Sequence, residues 1–559
     1  MFRLSSCIIA LGVGAILFIL LHLQRTYRAR RWIRNQREAG LPMPEHHALL
    51  GHLPIVNDTI NALPPNCAVD VAISNIAREF PTGVFYLDFA PFDKPNIIVT
   101  SPDVAAQVQK LTQLGKPDYV AGVVNTICGG RNLFTMSGQV GKLWRNTFNR
   151  GFSVAYMQTL APMIAREVEV FAEIIEKKAK SGEIVKLLEP VTKLAVDVIT
   201  SVGLDARLGY QEKEGVLSSI MMSQLQWAGF SAAMNPWKVL NPIRPLILWY
   251  NKRQIHKILG AEVDNRFVEL GLEKGSGALH SKSAISLALQ EIASSIRPNN
   301  RSAAKVEKAQ KASMVSQIML FLMAGQDTTS STITYCIREL YAHRATLNRI
   351  RAEHSEVFGN DLSPSHITNA IEEHPERINH LPYTSAVIKE TLRLHPPASA
   401  LRKGEPGVTL TDNEGNIYPT EGCNIWVVHA AMHRDPRYFI EPDSFIPERW
   451  LVELGDPLCP VKGAWRPFET GTRNCLGQTL ATLAIKISLL MVARNYEISE
   501  AYNEVETKDH PKVGAGAKAP GIEGRNFGDA YPVYGIGLAV LPNGGFPCHI
   551  KSLSTKDCN

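Results

Sequence analysis

Ten residues near the C-terminal end constrain this chain more than any other stretch: Phe468-Glu-Thr-Gly471-Thr-Arg473-Asn-Cys475-Leu-Gly477. One cysteine sits in a turn rich in glycine and arginine. Just after it, residues 478–495 carry Leu480, Leu483, Ala484, Ile487, Leu490 and Met491 at spacings of three and four, the period of a helix with one apolar face. The thiol therefore stands before a helix N-terminus, where the dipole and free N–H groups favour a thiolate. Arg473 adds a nearby positive charge. Gly471 and Gly477 carry no side chain, so something broad and flat can come close to the backbone. Phe468 can pack on its face.

A lone cysteine is most often a small buried hydrophobe without chemistry. Here Phe, Gly, Arg, Cys and Gly stand together at offsets 0, 3, 5, 7 and 9. That combination suits an axial thiolate on haem iron, which pushes electron density onto the metal and favours O–O cleavage. The ten residues resemble the haem-binding signature of the cytochrome P-450 family.

The long apolar helix pattern at residues 314–344 contains Ala324-Gly325-Gln326-Asp327-Thr328-Thr329. An Asp and a Thr inside an apolar helix are costly unless they hydrogen-bond. Ala324 and Gly325 leave room beside the helix and permit a local kink. Asp327 and Thr328 can relay protons to dioxygen, or cap a helix where two helices meet. The hexapeptide resembles the family's oxygen-activation motif. Glu390-Thr-Leu-Arg393, the break at Pro396-Pro397 and the later Phe445-Ile-Pro447-Glu448-Arg449 resemble its structural Glu-Arg-Arg cluster. By the same resemblance Arg145, Arg402, Arg473 and His433 reach the haem propionates. Arg145 also reads as a solvated helix arginine, and His433 as part of a surface loop. The family's usual tryptophan near Arg145 falls on Gly141, with Trp144 three residues late.

With 559 residues, the chain is long enough for a large enzyme domain plus an appendage. Its net charge of +6 gathers near the N-terminus, which argues for a membrane surface rather than nucleic acid. Nine cysteines without CxxC pairs read as a reducing compartment, not a disulfide framework or a zinc site. Residues 4–23 are almost wholly apolar, close to the ~20 residues of a spanning helix. Arg25, Arg28, Arg30, Arg31, Arg34 and Arg37 follow, which by the positive-inside rule keeps the rest in the cytosol. A cleaved signal peptide is the competing reading, but the charge follows the apolar run and no small-x-small site ends it.

The expected organisation is an anchor at 1–24, a basic, Pro-containing linker at 25–50 and a haem domain at 51–559. Short strands are expected around Val84–Phe89 and Asn96–Thr100, and a helix from Pro102. Residues 275–313 read as a surface loop or a partly helical connection, 514–521 as a flexible insertion. Phe230, Met234, Trp237 and Leu240 are apolar enough to line a substrate cavity, though core packing explains them equally.

The resemblance, over roughly residues 40–550, implies a mainly α fold with a smaller β-rich lobe. It implies heme b held by Cys475, and Thr328 and Asp327 as catalytic residues. It implies insertion of one oxygen atom from O2 into a hydrophobic small molecule. Phe468, Gly471, Arg473, Gly477, Arg145, Arg402 and His433 would bind the cofactor. Fewer than a hundred residues follow Cys475 and no convincing GxGxxG stands in the chain, so electrons are expected from a separate NADPH-dependent cytochrome P-450 reductase. The expected location is the endoplasmic reticulum membrane, single-pass. Gln478-Thr-Leu-Ala and Gly545-Phe-Pro-Cys548 resemble fungal members devoted to secondary metabolism. A haem-thiolate isomerase or dehydratase, and a membrane haem-binding protein without turnover, stay open.

Overall fold

The computed structural model describes residues 2–111, 113–204, 207–213, 215–233, 235–272, 286–288, 301–505, 528–537 and 539–553. One helix organises the α lobe. Arg301–Ala342 runs unbroken for 42 residues, ~63 Å at 1.5 Å per residue. It packs on Leu188–Leu204, Gln478–Asn495 and Pro382–Leu394. Such a helix buries hydroxyls, and they are satisfied by back-bonding to the preceding turn: Thr334 to the Ser330 carbonyl at 2.8 Å and Thr332 to the Thr328 carbonyl at 2.8 Å. The helix starts thirteen residues before the expected 314, inside the stretch read as a surface loop or a partly helical connection, and the helical alternative holds from Arg301. Residues 301–313, RSAAKVEKAQKAS, are rich in strong helix formers. Composition there outweighed the polar look of the segment.

The β lobe is a four-stranded sheet in the order Val84–Leu87, Asn96–Val99, Asn424–Val427, Ala400–Lys403. The first pair is antiparallel, with Phe85 opposite Ile98. The second is parallel across more than 300 residues of sequence, with Ile98 opposite Trp426. Both expected strands are buried along their whole length, as short apolar runs on two covered faces require. The helix Pro102–Lys110 begins where expected, with Pro at its start and the Ser101 hydroxyl accepting from Val104 N–H. Smaller sheets join Val185–Lys186, Pro547–Ser552 and Tyr496–Glu500, and pair Pro532–Tyr534 with Val540–Pro542.

Residues 25–38, expected as linker, continue the helix Phe2–Glu38 and dock on the β lobe. Arg30 places Nη1 3.2 Å from Asp88 Oδ2 and donates to the Ala90 carbonyl at 2.7 Å. Ile33 is buried, and Trp32 meets Tyr86 edge-on at 5.5 Å. Arg25, Arg28, Arg31, Arg34 and Arg37 stay exposed. Among the described residues no helix is long and apolar enough to cross a membrane. The insertion at 514–521 and Met234 lie outside the described residues.

Candidate active site

A cavity of about 840 Å³ lies between Arg301–Ala342 and the start of Gln478–Asn495. Phe468, Arg473, Cys475 and Gly477 line it from the turn, and Ala324, Gly325, Thr328 and Thr329 from the long helix. Phe321, Ile199 and Val202 add apolar wall, with Pro397, Ala398 and Ser399 opposite.

The turn is closed by the Cys475 N–H donating to the Phe468 carbonyl at 2.7 Å. Cys475 counts as exposed although it is deep in the protein; both statements hold because its sulfur faces the open cavity. Burial pushes the thiol up, against the opposing pull of the Gly477 N–H and the Arg145 charge. The cation that supports a thiolate is thus Arg145, not Arg473 as expected. Arg473 points elsewhere, with Nη1 2.6 Å from the Met136 carbonyl. Gly141 makes that grip possible: a Cβ there would meet the Met136 carbonyl at 2.9 Å and Arg473 Nη1 at 3.3 Å. Gly471 does not line the cavity; it stands at φ +71 and lets the turn reverse.

The edge of the cavity carries positive charge. Arg145 hydrogen-bonds the Asn474 side chain, and Arg402 donates to the Leu401 carbonyl at 3.0 Å. Burial, then Arg402 and Arg145, push Arg473 down to about 10. Lys116 was missed by motif reading. Its ammonium lies 4.1 Å from the centre of the Phe134 ring, and burial, Arg402 and Arg473 hold its value well below that of an ordinary lysine. Lys142 joins at the solvent side. Among the described lining residues the one carboxylate is Glu469. So many inward cations and so little anion is an unfavourable arrangement by itself, and it suits a guest with carboxylates of its own. A sulfur on one wall, apolar side chains on the others and a group of cations fit a haem with its two propionates.

Besides Gly471, two expected residues do not face this cavity. His433 is buried behind it: its Nε2 accepts the Arg466 N–H at 3.0 Å and its carbonyl accepts from Arg393 at 2.9 Å. The histidine on the wall is His429, one helical turn earlier, its ring stacked on His433 at 5.7 Å. Asp327 is buried against Gly537 of the C-terminal hairpin, where a Cβ would overlap its Oδ2, and it is not on the wall. Thr328 does face the cavity, with its hydroxyl donating to the Ala324 carbonyl at 2.8 Å.

Trp237 and Leu240 neither line the cavity nor pack in the core, being 85% and 78% exposed; Phe230 packs at the edge of the helical core. Glu390 is enclosed with Arg393 and Arg449 at 2.8 and 3.0 Å, all three side chains fully buried.

The comparisons agree with this architecture. The family model described as Cytochrome P-450 matches residues 75–523. The cytochrome P-450 monooxygenase polC of Polytolypa hystricis is 32% identical over 99% of this chain and 97% of its own. The monooxygenase ptmG of Penicillium ochrochloron is 28% identical over 96% and 95%. The crystal structure of the cytochrome P-450DA heme domain superposes with a TM-score of 0.70 at 18% identity, over 92% of this chain and 98% of that one. A mainly helical fold with small sheets, a cysteine-bearing cavity and these matches lead to one conclusion: the chain belongs to the cytochrome P-450 family, as an oxidoreductase of its monooxygenase type.

Proposed function

We propose that this protein is a haem-thiolate monooxygenase that inserts one oxygen atom from O2 into a hydrophobic small molecule of fungal secondary metabolism. The reading rests on one observation above the rest: Cys475 and Thr328 line the same cavity, beside a wall of cations. Bound haem would supply dioxygen activation, with electrons from NADPH delivered by a separate reductase. The chain's own residues do the rest. The Cys475 sulfur would hold the iron. Arg145, Arg402, Arg473 and Lys116 would hold the two carboxylates. The Thr328 hydroxyl holds a proton on the opposite wall and passes it on. Phe321, Ile199 and Val202 keep that wall dry.

Membrane attachment through residues 4–23, with a cytosolic domain at the endoplasmic reticulum, belongs to the same proposal. A second feature supports it. Trp237, Val239, Leu240, Ile243, Leu246 and Trp249 are exposed within thirteen residues, and Lys252 and Arg253 follow at the surface. Large exposed apolar side chains flanked by cations suit the interface of a lipid bilayer.

The test begins with deletion of the gene and identification of the metabolite that accumulates. That metabolite is then offered to the purified protein with NADPH, reductase and ¹⁸O2. A product carrying one ¹⁸O atom, formed only with all components, is expected. A rearranged product without ¹⁸O, formed without NADPH, would replace oxygen insertion by isomerase chemistry.

A further inference from the structure

Glu469 is out of keeping with its position. It is the second residue of the cysteine turn and adopts φ +54, a conformation easy for glycine and strained for glutamate. Its carboxylate is nonetheless held from three directions. His429 Nε2 lies at 2.9 Å, Arg466 Nη2 at 2.7 Å, and the Gln109 amide donates from the helix Pro102–Lys110. The side chain is 14% exposed and that of His429 only 3%. His429 is fixed in turn, its Nδ1 2.8 Å from the Ala398 carbonyl. Both residues line the cavity.

The charges around it give this network a purpose. Lys116, Arg145, Arg402 and Arg473 line the wall, and Glu469 supports the charged forms of Lys116 and Arg402. Hydrogen bonding from His429 and the Arg466 charge outweigh burial and keep the Glu469 carboxyl well below the usual range. A fixed negative charge near a redox centre stabilises its oxidised form, because local charge and hydrogen bonding are main determinants of potential. We propose that Glu469, held by His429, Arg466 and Gln109, is a positioning residue whose buried negative charge lowers the reduction potential of the bound haem. The proposal rests on the haem-thiolate reading.

The experiment measures the ferric/ferrous midpoint potential of the holoenzyme by spectroelectrochemistry, alongside the ferrous–CO spectrum. Glu469→Gln keeps the size and removes the charge; its potential should move positive. Glu469→Asp keeps the charge and should stay near wild type. The thiolate-type red-shifted Soret band should persist in both. An unchanged potential in Glu469→Gln, or equal shifts in both variants, would overturn the proposal and leave the haem-thiolate reading standing. Should Glu469→Gln not retain haem, Glu469→Gln/Lys116→Gln restores the wall's net charge and is expected to load haem at near wild-type potential. A double variant that stays empty would also overturn it.

Discussion

Two groups of buried charge in this molecule are built on opposite principles. Around Glu390 every charge is answered: two arginines share its carboxylate, the Trp450 indole N–H donates at 3.0 Å, and Arg393 donates onward to the carbonyls of His433 and Ser444. On the cavity wall, Lys116, Arg145, Arg402 and Arg473 face one carboxylate. A closed ionic cluster serves the fold, because nothing else can enter it. An open one serves a guest that brings the missing charge.

Breaking the closed cluster should have the largest effect. Glu390→Gln leaves Arg393 and Arg449 buried without a counter-charge, at a cost of about 3–5 kcal/mol. The expected result is loss of folded protein with or without added haem, read by circular dichroism and yield. A thermal midpoint equal to wild type would mean that the cluster is not closed.

Next comes a wall of the cavity whose contribution is a hydroxyl rather than a charge. Thr328→Ala removes one hydroxyl and little volume, so haem content should hold. General acid–base assistance is worth ~10²–10⁴-fold, and water can replace part of it, so product per NADPH should fall at or below the low end of that range while peroxide rises. Unchanged product per NADPH would reduce Thr328 to a packing residue.

Opening the cationic wall further should cost less. Arg402→Leu should leave the melting of the haem-free protein unchanged, yet release haem to an acceptor globin roughly 10–100-fold faster, the worth of ~1.5–3 kcal/mol for a charged hydrogen bond. Loss of fold instead of haem would erase the contrast between the two groups.

The smallest effect concerns pH. In the haem-free protein Lys116 loses its proton below the ordinary lysine value of 10.5, since burial and two arginines oppose its charge. A bound carboxylate favours the charged form, so haem binds best below the lowered value and more weakly as pH rises from there toward 10.5. Haem release measured against pH should therefore accelerate severalfold across that window in wild type, and much less in Lys116→Arg.

Much of this was legible in the sequence, along the chain more than around it. The helix at Gln478–Asn495 and the start at Pro102 follow from spacing and turn chemistry, and the Glu390 partners from the family resemblance. Direction of side chains was harder. Motif reading chose His433 where His429 faces the cavity, and joined Asp327 to Thr328 although Asp327 packs against Gly537. Lys116 sits in a loop without a pattern, and its meaning appears only once Arg402 and Arg473, hundreds of residues later, stand beside it. Trp237 shows the limit of hydropathy alone: a large apolar residue can be 85% exposed.

The central claim is that Cys475 holds the iron through its thiolate. The most direct measurement is the ferrous–CO spectrum of Cys475→Ser against wild type at matched haem content. Loss of the thiolate-type red-shifted Soret band in the variant, with the band present in wild type, is the predicted result. A band that survives in Cys475→Ser would contradict the assignment and with it the reading of the cavity.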